Sequence, residues 1–168
     1  MNNFVGALVA LFLSAAPALQ PVIITPNTEE PPSHEQVALA EFLASKGSPM
    51  PAEVLIKYPN YKTIVAISAA ESGYCKHQAA AYNCYGIKDF QAGSRPGSYR
   101  AFASWEESIG YASQLLYKYD AENGTPEPTA MVARWKAVEP YTPWLNNVSH
   151  ALKDINTQVQ IAAVSQAQ

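Results

Sequence analysis

Glu71 is the side chain whose neighbours in the sequence most favour acid chemistry. Residues 64–70 before it are apolar or small, and Ser72 and Gly73 follow it. This pattern places the carboxyl group at the buried end of a helix, where apolar neighbours desolvate it and raise its pKa. Such an acid can protonate the leaving oxygen of a glycosidic bond. The alternative is a solvated glutamate, which the helix dipole disfavours, because a negative charge is unfavourable at a helix C-terminus.

Three blocks of sequence follow one another around and after this glutamate. They are residues 67–74 (ISAAESGY), 82–88 (YNCYGIK) and 99–109 (YRAFASWEESI). In composition and order they resemble the endo-β-N-acetylglucosaminidase family of bacterial autolysins, within the lysozyme-like superfamily. The resemblance implies a glycoside hydrolase that cleaves β-1,4 bonds of the peptidoglycan glycan strand, similar in activity class to mannosyl-glycoprotein endo-β-N-acetylglucosaminidases. It makes Glu71 the catalytic acid.

Tyr141 is the second catalytic candidate. It begins the sequence Tyr-Thr-Pro-Trp at residues 141–144, which looks like the family's C-terminal tyrosine motif. The resemblance implies that the Tyr141 hydroxyl approaches Glu71 or the N-acetyl group of the substrate. Trp144, one turn into the last predicted helix, is expected to anchor the core.

The predicted substrate-binding residues are Ser72, Asn83, Tyr85, Gly86 and Asp89. By the resemblance, Asn83 and Tyr85 line the subsites beside Glu71. Their residue types fit this role, because an amide can pair with an acetamido group and an aromatic ring can stack on a sugar face. The alternative is that Asn83 forms a turn and Tyr85 belongs to the core. Gly86 is expected to allow close backbone approach or a positive φ angle.

A second catalytic carboxylate is harder to assign. Glycosidases normally pair two carboxyl groups, about 5 Å or roughly 6.5–9.5 Å apart. Helix capping and the helix dipole explain Glu106 and Glu107, which leaves Asp89 as the candidate. Without a partner acid, the acetamido group of the substrate assists, or the enzyme is a lytic transglycosylase; a muramidase of the same superfamily is a further alternative. No cofactor is expected, because proton transfer to a glycosidic oxygen needs none.

Cys75 and Cys84 bracket the loop between the first two blocks. Two cysteines in an exported chain most economically form one disulfide, which would stiffen the wall of the groove. A zinc site would add His77 to the two thiols. No fourth ligand lies nearby in the sequence, so we predict no metal site.

Local start signals predict the helices that position these residues. Ser33 with Gln36, and Ser104 with Glu107, form capping boxes. Other helix starts are predicted at Pro51, Asn60, Pro128 or Thr129, and Thr142. Between residues 84 and 102, Gly, Pro, Ser and aromatic residues predict short strands and loops. The pattern predicts an α+β fold, predominantly α, and the resemblance implies a lysozyme-like fold with a small strand and loop lobe beside the groove.

The length of 168 residues indicates one domain with appendages. Residues 1–18 contain an apolar run and an Ala-Pro-Ala sequence that favour a signal peptide, with a retained membrane anchor as the alternative. We predict a Pro-rich linker over 19–32, the working domain over 33–156 and a flexible tail over 157–168. The chain is therefore expected to be secreted or held in the cell envelope, with membrane contact only through an uncleaved N-terminal segment.

The formal net charge of −3 is spread thinly, without the basic stripe that binds a phosphate backbone. Nucleic acid is therefore excluded as an expected partner. Peptidoglycan glycan strands are the expected partner, and we expect a monomer. Two other classes stay open: a wall-binding module that kept the fold without the chemistry, and a structural or adhesive domain held by the disulfide.

Overall fold

The structure, a computed structural model, describes residues 31–90, 94–95, 97–136 and 139–165. In this part of the chain there are six helices: α1 (His34–Ser45), α2 (Ala52–Leu55), α3 (Tyr61–Ser72), α4 (Trp105–Tyr117), α5 (Pro128–Trp135) and α6 (Thr142–Ser165). The prediction of a predominantly helical protein is confirmed. The predicted signal peptide (1–18) and linker residues 19–30 lie outside the described residues.

Two of the helix starts carry the serine N-caps expected from the sequence. The Ser33 hydroxyl accepts a hydrogen bond from the Gln36 backbone N–H at 3.2 Å, and α1 begins directly after Ser33, at His34. The Ser104 hydroxyl accepts one from the Glu107 N–H at 3.2 Å, and α4 begins after it. Both caps satisfy backbone donors that the first turn of a helix leaves without an intrahelical partner.

The prediction that the Asn60 side chain caps α3 is wrong. It occupies the capping position, but its side chain makes no capping hydrogen bond. Its amide instead donates to the Ser113 carbonyl at 3.3 Å and the Gly124 carbonyl at 3.1 Å, and its oxygen accepts from the Ser113 hydroxyl at 2.9 Å. Asn60 is fully buried and joins the start of α3 to α4 and to the turn that follows α4.

Helix α3 is the central element of the core. Ile64, Val65, Ala66 and Ile67 are all buried, so this part of the helix is surrounded on every side. Helix α6 packs against both α3 and α1, and it also contacts α5, while α4 contacts α2 and α3. Helix α3, which carries Glu71, is thus packed against both α4 and α6.

Helix α6 is longer than the sequence indicated. The predicted flexible tail over 157–168 is corrected for residues 157–165, which continue the helix. Its buried residues recur at helical spacing as far as Val159: they are Trp144, Val148, Ala151, Ile155 and Val159. Burial of this stripe against α1 and α3 stabilises a stretch whose Gln, Ala and Ser residues carry only weak local signals.

The loop segment between α3 and α4 is described for residues 73–90, 94–95 and 97–104. In its described part, strand-like pairing is limited to two isolated antiparallel bridges, Ala80 with Asn83 and Lys88 with Tyr99. The predicted short strands are therefore not observed as strands there. Side-chain hydrogen bonds and a disulfide hold the segment in their place. None of the described helices is both long and apolar enough to cross a bilayer.

Candidate active site

Glu71 is the penultimate residue of α3. The helix ends at Gly73, whose left-handed conformation (φ 60°) lets the Gly73 and Tyr74 N–H groups bond back to the carbonyls of Ala69 and Ser68. The tight end turns the chain away immediately after Glu71. Its side chain consequently projects from the rigid end of the most buried helix.

Trp144 of α6 holds one oxygen of the Glu71 carboxyl group. The indole N–H donates to Oε1 at 2.7 Å, a short distance that is typical of a hydrogen bond to a charged acceptor. Trp144 is only 5% exposed, so its ring is fixed by the core. The contact joins two helices that are far apart in the sequence.

The surroundings of Glu71 raise its pKa above the ordinary value for a glutamate. Partial burial of the carboxyl group is the main cause. The hydrogen bond from Trp144 and the positive charge of Lys136 act in the opposite direction, and the net shift remains upward. The residue as a whole is exposed, so the carboxyl group is accessible although nearby protein atoms partly desolvate it. This is the electrostatic environment that a general acid requires.

The geometry also assigns the proton to one oxygen. An indole N–H only donates, so Oε1 accepts from Trp144 whether Glu71 is ionised or protonated. The carbonyl oxygen of a carboxylic acid is the stronger acceptor, so this contact favours Oε2 as the oxygen that carries the hydrogen when Glu71 is protonated. This oxygen accepts no hydrogen bond from the described residues and lies next to the backbone of Gly86.

Gly86 provides the close backbone approach that its residue type suggested. Its φ angle is +66°, and a Cβ atom built there would lie 3.2 Å from Oε2 of Glu71. The close backbone approach and the positive φ angle that were expected at Gly86 are thus both observed. Any larger residue would crowd the proton-bearing oxygen. Its role in substrate binding stays a prediction.

Ser72 has a structural position, and its predicted role in substrate binding stays a prediction. Its side chain is buried, and its hydroxyl accepts from the Cys75 N–H at 3.0 Å. The same hydroxyl can donate to the carbonyl of Cys84 at 2.7 Å or of Ser68 at 2.9 Å. Ser72 therefore ties the end of α3 to the loop segment.

Asn83 also follows the structural alternative. It is fully buried, and its amide donates to the Ile87 and Arg100 carbonyls, both at 2.8 Å. Its oxygen accepts from the N–H groups of Tyr85 at 3.3 Å and Ile87 at 3.1 Å. With these bonds made inside the protein, the side chain shapes the turn that presents Gly86, and its predicted contact with a substrate stays a prediction.

The Tyr85 side chain is buried in the core, as the alternative for this residue predicted, but the residue also lines a cleft beside Gly86, so its role in a sugar subsite stays a prediction. Tyr85 is 1% exposed, and its hydroxyl lies 3.8 Å from the Met50 sulfur. Its backbone carbonyl accepts a hydrogen bond at 3.3 Å from the indole of Trp135. This bond ties α5 to the loop segment beside Gly86.

The disulfide between Cys75 and Cys84 is confirmed. The two Cα atoms are 4.7 Å apart, and both residues are buried. Gly73, Tyr74 and Cys75 have successive positive φ angles, a left-handed turn that brings the chain back toward Cys84. A structural disulfide indicates an oxidising environment outside the cytoplasm. The described residues contain no group of three or more His, Cys, Asp or Glu that could hold a metal ion.

Tyr141 and Asp89 are not joined to Glu71 by hydrogen bonds. Tyr141 is half-buried directly before α6, and the indole of Trp144, rather than the phenol of Tyr141, contacts the carboxyl group. Asp89 accepts a hydrogen bond from the Ser94 hydroxyl at 2.6 Å within the loop segment. The catalytic role of Tyr141 and the role of Asp89 as substrate-binding residue or second acid stay predictions.

Trp144 is the site residue that the sequence did not identify. It is a core anchor, as expected, but it also contacts Glu71. One signal was present, because a buried indole N–H normally requires an acceptor. The identity of that acceptor depends on how α3 and α6 pack.

A cleft of about 270 Å³ includes Gly86 in its wall. Loop residues 85–88 and Phe90 line one part, and α4, the residues just after it and α5 line the rest. Aromatic side chains dominate the lining. A larger cavity of about 390 Å³ lies among Glu35, Lys62 and Asn156, but its lining includes no residue that contacts Glu71. The smaller cleft is therefore the candidate substrate groove.

No protein-family model matches the chain, and searches of curated proteins and of solved structures likewise find no match.

Proposed function

We propose that this protein cleaves β-1,4 glycosidic bonds of peptidoglycan glycan strands, with Glu71 as the general acid. The observation that carries the proposal is the state of this carboxyl group. It is partly desolvated, its pKa is raised, and one oxygen is fixed by Trp144 while the other faces Gly86. The resemblance of the three sequence blocks favours an endo-β-N-acetylglucosaminidase on a lysozyme-like fold.

In the proposed reaction, Oε2 of Glu71 gives its proton to the bridging oxygen as the bond from that oxygen to the anomeric carbon breaks. The carboxylate formed keeps its hydrogen bond from Trp144 and is stabilised by the charge of Lys136. Both interactions favour the ionised form, so they become stronger as the proton leaves. The departing sugar takes the proton as a new hydroxyl group.

The anomeric carbon then requires a nucleophile. In hydrolysis, water supplies a hydroxyl group and its second proton returns to Glu71. If the acetamido oxygen of the substrate attacks first and water follows, the reaction is substrate-assisted hydrolysis. If a hydroxyl of a muramic acid residue attacks in place of water, the reaction is transglycosylation with an anhydro product. Asp89 is the candidate carboxylate for activating water.

Secretion to the cell envelope is part of the same proposal. The disulfide requires an oxidising environment, and peptidoglycan lies outside the cytoplasmic membrane. The apolar run within residues 1–18 supports export as a signal peptide.

The test is digestion of purified peptidoglycan by the full chain and by Glu71→Gln, with fragments identified by mass spectrometry. We expect Glu71→Gln to reduce cleavage by about 10²- to 10⁴-fold, the range for loss of a general acid. Glu41→Gln, a change of the same kind at an exposed position on α1, is the matched control and should leave the rate unchanged.

The fragment ends identify the bond. Reducing N-acetylglucosamine ends indicate a glucosaminidase, reducing muramic acid ends a muramidase, and anhydro-muramic ends a transglycosylase. If the parent protein binds the wall but releases no fragments between mildly acidic and neutral pH, the enzymatic proposal is wrong and the binding module replaces it.

A further inference from the structure

The candidate groove has a composition suited to sugars. Phe90, Tyr111, Tyr119 and Trp135 all line it. Phe90 is 90% exposed, so its ring face is accessible to a ligand. Aromatic faces of this kind stack against the apolar faces of sugar rings. The groove therefore offers a stacking surface that begins beside Glu71.

The charge of the groove differs from that of the whole chain. The protein has a formal net charge of −3, yet none of the described residues that line the groove is acidic. Lys88 lies in its loop wall and Arg134 in its α5 wall. Lys136, one residue beyond the end of α5, is close enough to Glu71 to lower its pKa. Positive charge is thus concentrated where the substrate would bind.

Lys88 and Arg134, the two positively charged residues that line the groove, differ in how far neighbouring protein groups already bind them. The Lys88 ammonium group lies 3.5 Å from the centre of the Tyr99 ring and donates to the Gly97 carbonyl at 3.2 Å. Arg134 is exposed, its guanidinium carbon lies 5.7 Å from the Tyr119 ring centre, and it forms no ion pair with a carboxylate of the described residues. A planar guanidinium group with unused donors is suited to bind a carboxylate through two hydrogen bonds.

We infer that the groove selects glycan strands that carry carboxylates, with Arg134 as the residue that binds the carboxylate and Lys88 as a supporting charge. This inference rests on the proposed function, which it refines by naming the substituent that the site reads. Peptidoglycan offers such carboxylates on the lactyl groups of muramic acid and on the attached peptides. A neutral N-acetylglucosamine polymer has the same kind of linkage but offers none.

Binding measurements on the full-length Glu71→Gln variant test the inference without turnover. Three tetrasaccharides are titrated by calorimetry: chitotetraose, a strand of alternating N-acetylglucosamine and muramic acid with free lactyl groups, and the same strand carrying peptides. We expect one or both carboxylate-bearing strands to bind roughly tenfold more tightly than chitotetraose, as for one charge-assisted contact at a partly exposed site. This preference should weaken as salt is added. A preference for the second or the third strand identifies the lactyl or the peptide carboxylate, respectively, as the group bound.

Two further substitutions in the Glu71→Gln background locate the contact. Arg134→Gln should remove most of the preference and leave the affinity for chitotetraose almost unchanged. Lys153→Gln removes the same charge from an exposed position on α6 and should keep the preference.

Equal affinities for the three strands, an equal loss for all three in Arg134→Gln, or no binding of any strand would overturn the inference. Selective binding by Glu71→Gln together with a parent protein that does not cleave would refute the enzymatic function alone. The selective glycan-binding groove would then stand.

Discussion

The two oxygens of Glu71 have different surroundings, and this difference is the main chemical feature of the site. Oε1 is held by the Trp144 indole, whereas Oε2 lies beside the Gly86 backbone. A fixed carboxyl group loses little freedom as the transition state forms, because its orientation is set before substrate binds. We therefore propose that Trp144 is a positioning residue for the proposed acid.

Trp144→Phe tests this role, because it keeps an aromatic ring and removes only the indole N–H donor. The hydrogen bond stabilises the ionised carboxylate, so its loss raises the pKa of Glu71 further. Activity that depends on the protonated acid should then persist to higher pH, which moves the falling limb of the pH–rate profile upward. The maximal rate should fall by roughly threefold to tenfold, equivalent to one hydrogen bond.

Trp105→Phe is the matched control for this prediction. Trp105 packs edge-on against Tyr82 at the start of α4, and in the described part of the chain the side-chain hydrogen bond to Glu71 comes from Trp144 and not from Trp105. Replacement of Trp105 should leave the pH–rate profile in place. An unshifted profile for Trp144→Phe would refute the positioning role even if the protein were less stable.

Gly86→Ala tests the space beside Oε2. The added Cβ would meet this oxygen at 3.2 Å, so we expect cleavage to fall by roughly tenfold to a hundredfold as the acid is displaced. Gly97→Ala separates this contact from backbone strain, since Gly97 also has a positive φ (+78°) but no atom within 4 Å of its added Cβ. Both variants should lose about 1–2 kcal/mol of unfolding free energy. An equal effect of both on activity would contradict the proposed contact.

At the scale of elements, the site is the junction between the end of α3 and the loop segment. Ser72 connects them by hydrogen bonds, and the Cys75–Cys84 disulfide closes the first part of the loop segment covalently. Asn83 then shapes the turn that carries Gly86 toward Glu71. The groove wall is therefore positioned by several short-range connections rather than by a β-sheet.

Removal of the disulfide in the double variant Cys75→Ala/Cys84→Ala should lower the free energy of unfolding by about 2–3 kcal/mol. The estimate is the chain-entropy cost of closing a loop whose ends are separated by nine residues. Urea denaturation of the parent and double variant measures it. A difference below about 0.5 kcal/mol would show that the packing alone holds the loop.

The helix starts show which element features local sequence specifies. Ser33 and Ser104 bond to N–H groups three residues away, so their caps are readable from the sequence. Asn60 bonds to residues 53 and 64 positions away, and no local pattern contains those partners. Local rules therefore predicted where α3 begins but not what the Asn60 side chain does.

At the scale of the whole molecule, Glu71 is expected to cost stability in exchange for function. Its pKa in the folded protein is raised, so the folded state favours its protonated form. The stabilisation from protonated Glu71 is fully present at pH values below the pKa of this group in the unfolded chain. It is lost as the pH rises through the pKa of the group in the folded protein. Glu71→Gln should consequently raise Tm by about 1–3 °C at neutral pH, after allowance for solvent screening, and by less at acidic pH.

Glu107→Gln should change Tm in the direction opposite to that expected for Glu71→Gln. The pKa of Glu107 is lowered, mainly by its hydrogen bond from the Ala103 N–H. Its stabilising contribution is present above the unfolded pKa and is lost as pH falls through the folded pKa. We expect Glu107→Gln to lower Tm at neutral pH, with a smaller difference in acid. Parallel pH trends for the two variants in calorimetric scans would contradict the assignment.

The sequence by itself determined the helical character, most helix starts, the disulfide and Glu71 as the candidate acid. These features depend on periodicity, neighbouring caps and residue type, which act over a few positions. Only the tertiary structure decided that Trp144 holds Glu71, that Asn83 and Tyr85 are internal, and that α6 extends through residues 157–165. Each depends on contacts between distant segments, whose geometry is fixed when the helices pack around α3.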